Sequence, residues 1–166
     1  MSIYGTRVLL KRSYMKKKKQ FNSVEDLFAG RLRGNQLMLS SLGIVPETAR
    51  LLWSAPRMKE ITWLDLDDNC LGDEGVRELS ACQYLTNVQY LNLNQNGVTD
   101  AGLAMLSRSL FLPKLKRLHL KHNPIKGEGV LALFDSESLA GLQTFQFHEG
   151  WSCKKMDGWR YGKGKK

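Results

Sequence analysis

The chain reads as a short α/β solenoid in which each coil supplies one strand, one turn and one helix. Three features carry that expectation. One pattern recurs at a constant offset of 27 residues, as WLDLDDNCLGDEGVREL from Trp63, YLNLNQNGVTDAGLAML from Tyr90 and RLHLKHNPIKGEGVLAL from Arg117. The opening LxLxxN of each copy alternates with period two, whereas the closing part spaces its apolar residues at helical intervals. An asparagine and a glycine return at the same two offsets, where a chain has to turn and where backbones have to approach closely. A fixed period of this size marks units whose apolar side only the next unit can cover.

Taken in order, SVEDLFAGRLRG offers Ser23 as an N-cap, Val24, Leu27 and Phe28 as an apolar face and Gly34 as a stop, which predicts a capping helix near 24–33. One period before the first full copy, Leu37, Leu39, Ile44, Ala49 and Leu52 fall on repeat positions, with Leu42 at the asparagine site and Thr48 at the glycine site, so a degenerate first coil is expected. In the full copies Ile61, Leu64, Leu66, Asn69, Leu71, Gly75, Val76 and Leu79 correspond to Val88, Leu91, Leu93, Asn96, Val98, Gly102, Leu103 and Leu106. They correspond again to Leu115, Leu118, Leu120, Asn123, Ile125, Gly129, Val130 and Leu133. The three asparagines should stack as a ladder that bonds the backbone of the adjacent coil. Asp73 and Asp100, just before the helical pattern, are expected to accept from free amides of the first turn. After the third copy Leu142, Phe145 and Phe147 still match, but no helical pattern follows, so a terminal strand should close the core there.

These motifs resemble a leucine-rich repeat of the ribonuclease-inhibitor type, whose signature LxxLxLxxN is followed by L or I, then G and an amphipathic helix. The resemblance covers residues 34–150. It implies parallel strands on a concave face and helices on a convex one. It leaves activity open, since the family binds proteins, regulates GTPases and decorates larger assemblies on one scaffold.

Charge divides the chain more sharply than hydropathy does. Residues 1–19 hold seven basic residues, Arg7, Lys11, Arg12, Lys16, Lys17, Lys18 and Lys19, and no acid. Residues 151–166 hold Lys154, Lys155, Arg160, Lys163, Lys165 and Lys166 against Asp157 alone. Since the whole chain carries +9, residues 20–150 carry −3. The expected organisation is a basic N-terminal extension over 1–22, a repeat domain over 23–150 and a basic C-terminal tail over 151–166, both ends lacking a core-forming pattern. Aromatic residues interleave with the cations, Trp159 and Tyr161 among them, a combination that neutralises phosphates and offers rings to bases. These basic residues, with Trp159 and Tyr161, are the candidate RNA contacts. Solubilising tails are the plainer alternative.

MSIYGTRVLLKRSYM is free of acids, contains arginine and serine and resembles a short mitochondrial presequence, so a mitochondrial location is expected, otherwise a cytoplasmic one. No apolar run is long enough to span a bilayer, and no membrane insertion is expected. Cys70, Cys82 and Cys153 form no CxxC pair and leave an odd count, which speaks against a disulfide framework or a zinc site.

On the inner face, the variable strand positions are Trp63, Asp65, Asp67 and Asp68, then Tyr90, Asn92, Asn94 and Gln95, then Arg117, His119, Lys121 and His122. The face passes from acidic through neutral to basic, with Trp63 and Tyr90 as an apolar anchor for a protein partner. Near the three aspartates the expected contact is protein rather than RNA. His119, His122 and His148 are read as surface-contact residues, not metal ligands. No phosphate-loop, HExxH or paired nucleophile and base is present, so no enzyme, cofactor or small-molecule substrate is expected. The functional expectation is a structural component of a ribonucleoprotein, ribosomal or mitoribosomal, gripping rRNA through its basic ends and neighbouring proteins through the repeat face. The alternatives are a soluble adaptor or regulator and a mitochondrial assembly factor.

Overall fold

A computed structural model describes residues 21, 23–148, 151–155 and 158–163. The elements are α1 (Val24–Phe28), β1 (Leu32–Arg33), β2 (Gln36–Met38), α2 (Pro46–Trp53), a 3-10 turn (Pro56–Glu60), β3 (Trp63–Asp65), α3 (Gly72–Ser80), β4 (Tyr90–Asn92), α4 (Asp100–Leu106), β5 (Arg117–His119), α5 (Glu128–Phe134), β6 (Thr144–Gln146), β7 (Trp151–Lys155) and β8 (Trp159–Lys163). The eight strands of the described residues lie in one sheet in chain order. Pairing is parallel from β2 to β6 and antiparallel at both ends, β1 with β2 and β6 with β7 and β8.

The period of 27 residues appears directly in the register: Leu64 pairs with Leu91, Leu91 with Leu118, and Leu118 with Phe145. Because strand side chains alternate, these residues and Leu66, Leu93 and Leu120 all turn inward, where they meet Val76, Leu103 and Val130 from the helices; all are buried. Each such leucine contributes about 1.5–3 kcal/mol by leaving water. The degenerate first coil is built as expected, with Leu37, Leu39, Ile44, Ala49 and Leu52 all buried.

The asparagine ladder forms. Asn69 Nδ2 donates to Leu39 O (2.9 Å) and Leu66 O (2.8 Å), while its Oδ1 accepts from the amides of Leu42 and Ile44. Asn96 and Asn123 repeat the arrangement one and two coils on. One residue before each rung, and before Leu42 at the equivalent site of the first coil, the backbone turns left-handed, at Asp68, Gln95, His122 and Ser41.

Four details correct the sequence reading. The capping helix is shorter than 24–33. Ser23 and Asp26 form the capping box, but the helix ends at Phe28, Gly30 adopts φ +68°, and Gly34 serves the turn of the β1–β2 hairpin instead of a helix stop. Asp73 and Asp100 cap the next coil's helix, not their own. Asp73 accepts from Thr99 N and Gly102 N at the start of α4, and Asp100 from Lys126 N, Gly127 N and Gly129 N at the start of α5. Gly129 is required there, since a methyl group would lie 2.7 Å from Leu103 Cβ and 2.8 Å from Asp100 Cα. Strand β6 is not the last strand. Finally, residues 151–155 and 158–163 form no extended tail but a hairpin annealed to β6, with Phe145 opposite a fully buried Cys153. The physical reason is the exposed edge of β6 and the open end of the core, which the hairpin and its Trp159 cover.

Candidate functional site

Parallel pairing turns the variable strand positions into rows. The first row runs Gln36, Trp63, Tyr90, Arg117 and Thr144, and the second Met38, Asp65, Asn92, His119 and Gln146. In the first, the Trp63 and Tyr90 rings stack with centroids 3.6 Å apart and planes 16° from parallel. The Arg117 guanidinium lies 5.4 Å from both ring centres, within cation–π range. Tyr90 Oη is 3.0 Å from His119 Nδ1, joining the two rows.

Within this cluster the Tyr90–His119 pair is biased towards its neutral forms. Burial, helped by Asp65, pushes the Tyr90 phenol up to about 12. Burial, then Lys121 and Arg117, push the His119 imidazole below its ordinary value. With the ring neutral, its tautomer decides which of Oη and Nδ1 donates across this contact. At the acidic end, burial followed by repulsion from Asp65 and Asp68 raises the Asp67 carboxyl.

Trp63, Asp65, Asp67, His119 and Lys121 are half-buried and Arg117 is exposed, as a contact face requires. Asn92 and Asn94 are more structural than expected. Asn92 is buried and its Oδ1 accepts from Asn94 N, while Asn94 Oδ1 accepts from Lys121 N at 2.7 Å. The Asn92 oxygen is occupied by the turn that leaves its own strand, and the Asn94 oxygen by the corresponding turn of the next coil.

The hairpin extends the first row. Thr144 faces Lys154, and Lys154 faces Arg160. Cys153 points into the core, so the alternation places exposed Lys154 and Arg160 on the opposite side, the side of Thr144 and Arg117. Lys155 lies on the other side, its Nζ 5.9 Å from the centre of the Trp159 ring. Tyr161 and Lys163 belong to β8. Trp159 departs from its expected role. Its ring packs against Phe134 and Phe145, and Nε1 donates to Phe134 O at 3.1 Å, so it seals the core instead of standing free for a base. Arg7, Lys11, Arg12, Lys16, Lys17, Lys18, Lys19, Lys165 and Lys166 lie outside the described residues.

Sequence reasoning missed both the hairpin and the inter-coil aspartate caps. The hairpin had a signal, because WSCKK and WRYGK flank an Asp157-Gly158 turn dipeptide. The aspartates also had one, since Asp73 and Asp100 are 27 residues apart, but spacing alone does not say which helix a carboxylate serves.

Among the described residues no group of three His, Cys, Asp or Glu side chains could hold a metal ion, and no helix is long and apolar enough to cross a membrane. Cys70, Cys82 and Cys153 are free thiols.

Such a one-sheet stack of strand, turn and helix, bolted by an asparagine ladder, defines a repeat protein with a single continuous concave surface. The family model described as leucine rich repeat matches residues 61–80, 84–107 and 111–134, the three full coils, and the chain is a leucine-rich-repeat protein. No curated protein matches it.

Proposed function

We propose that this protein is a non-catalytic structural component of a ribonucleoprotein, with repeats of the ribonuclease-inhibitor type, that binds rRNA through its basic ends and a neighbouring protein through the acidic part of its concave face. The observation that carries this reading is the separation of charge: seven cations and no acid in residues 1–19, six cations against one acid in residues 151–166, and an acidic body between them. Phosphate neutralisation releases counterions in proportion to the cations engaged, so binding is concentrated at the ends. The hairpin supports the same reading, because it holds Lys154 and Arg160 in fixed positions instead of on a loose tail. Asp65, Asp67 and Asp68 repel a phosphate backbone and suit a basic protein surface. The acid-free N-terminus favours a mitochondrial particle.

Sedimentation of lysate containing the tagged chain tests this. Co-migration with ribosomal particles, abolished by ribonuclease, is expected. A small soluble complex insensitive to ribonuclease would establish the adaptor instead, and recovery with membranes the assembly factor.

A further inference from the structure

Aromatic rings and cations lie in one row across the sheet, a juxtaposition that charge composition alone does not reveal. Trp63, Tyr90, Arg117, Thr144 and Lys154 are successive ladder partners, and Arg160 follows opposite Lys154. At about 4.8 Å per strand, the row from β3 to β8 measures roughly 24 Å. Among the described residues the ion pairs involve Arg50 and Arg77 on the helical side, and no described carboxylate is in salt-bridge range of the cations of this row. Trp63 is half-buried and is held flat against Tyr90, which is itself buried, so the free face of the stack belongs to Trp63; the Arg117 guanidinium lies beside both rings. Beyond Trp63 the row continues to Gln36, and beside Trp63, along its own strand and the turn after it, stand Asp65, Asp67 and Asp68.

From this order we infer that the row is a track for single-stranded RNA, with phosphates on Arg160, Lys154 and Arg117 and an unpaired base on the Trp63–Tyr90 stack. The inference rests on the RNA-binding reading and gives it a place on the fold. A rigid ring accepts any base whose face is free, which a duplex does not present. Asp65, Asp67 and Asp68 flank Trp63 on one side and repel phosphate, and the next row position, Gln36, carries no charge to hold one, so the track ends at Trp63. An acidic peptide would satisfy the cations but has no base to lay on the indole.

The test uses the full chain and a short fluorescein-labelled uridine oligonucleotide, read by anisotropy across a salt series. Lys154→Gln with Arg160→Gln should weaken binding about tenfold and flatten the salt slope by about 1.4, roughly 0.7 for each lost phosphate contact. Trp63→Leu should weaken binding by about tenfold with the salt slope unchanged, and Trp63→Phe should restore most of it. Far-UV circular dichroism and a thermal melt of each variant separate lost contacts from lost fold; Trp63→Phe keeps the comparison informative if Trp63→Leu unfolds. Wild-type affinity in folded Lys154→Gln/Arg160→Gln and Trp63→Leu proteins, with binding lost on neutralising Lys16 to Lys19, would overturn the track while leaving RNA binding by the protein intact. A wild-type chain that binds neither the oligonucleotide nor ribosomal RNA would sink both. Competition by polyglutamate that depends on Trp63 as strongly as RNA does would assign the row to an acidic protein and overturn the inference.

Discussion

At the scale of single residues, the polar groups that define the repeat act between coils. Asn96 is buried; its Nδ2 donates to Leu66 O and Asn94 O, and its Oδ1 accepts from Leu71 N. Asn96→Ala leaves the Leu71 amide without its acceptor and takes one of two donors from Leu66 O and from Asn94 O; a stranded buried polar group costs about 1–3 kcal/mol, so a loss of about 1–3 kcal/mol in urea denaturation is expected. Asp100 is more specific still, because its effect depends on pH. Burial alone would raise its carboxyl, but bonds from the amides of Lys126, Gly129 and Gly127 hold it below its ordinary value of 3.8. The charged form is therefore favoured by folding, and its stabilisation is present above 3.8 and lost as pH falls through the depressed folded-state value. Asp100→Ala should cost about 1–2 kcal/mol at neutral pH, as lost helix caps do, and should lose less stability than the parent on further acidification. Thermal melts at neutral and acid pH check both parts.

At the scale of elements, the two ends of the stack are closed by different devices. The N-terminal end has α1, whose Leu27 and Phe28 are buried, and the short β1–β2 hairpin. The C-terminal end has β7 and β8, with Trp159 tilted against Phe134 and Phe145. Trp159→Ala removes the ring packed on Phe134 and Phe145 and the bond to Phe134 O, and should cost about 3 kcal/mol, with faster amide exchange confined first to β6, β7 and β8. That lid also shows where sequence was informative and where it was not. Strand, turn and helix were legible in the three full coils because every apolar position returned with the same offset and burial obeyed it. Asn69, Asn96 and Asn123 could be assigned to a ladder for the same reason. The hairpin hid behind its composition. Lys154, Lys155, Arg160 and Lys163 dominate a charge count, although alternate positions in the same segments carry Cys153 and Trp159, which belong to the core. Charge density is a property of a segment, whereas pairing depends on which residues alternate, and one average erased the other. On the concave face, the row of Trp63, Tyr90 and Arg117 was legible from period alone, but the turn duties of Asn92 and Asn94 were not, because spacing does not show whether a side-chain oxygen faces solvent or accepts from a backbone amide, two residues on for Asn92 and one coil on for Asn94.

At the scale of the whole molecule, the concave surface is polarised along the stacking axis, with Asp65, Asp67 and Asp68 towards one end and Arg117, Lys121, Lys154 and Arg160 towards the other. The acidic end is held at a cost to the fold, and Asp67 shows it. Burial, then Asp65 and Asp68, raise its folded-state carboxyl above the ordinary 3.8. The neutral form is favoured by folding, so the contribution of this group is most favourable below 3.8 and declines as pH rises through the raised value. Asp67→Asn removes that decline. The variant should melt roughly 1–2 °C higher than the parent at neutral pH and at the same temperature in acid. If the acidic end also marks where an RNA track stops, the substitution acts on binding in the same direction, because one fewer negative charge faces the phosphates arriving from Arg117. Oligonucleotide affinity should rise by about twofold at low salt, and the gain should vanish as salt shortens the reach of the charge to a few ångströms. A variant that is stabilised but binds RNA no better would separate the two effects, leaving the acidic cluster free for a basic protein neighbour and setting the end of the track short of β3.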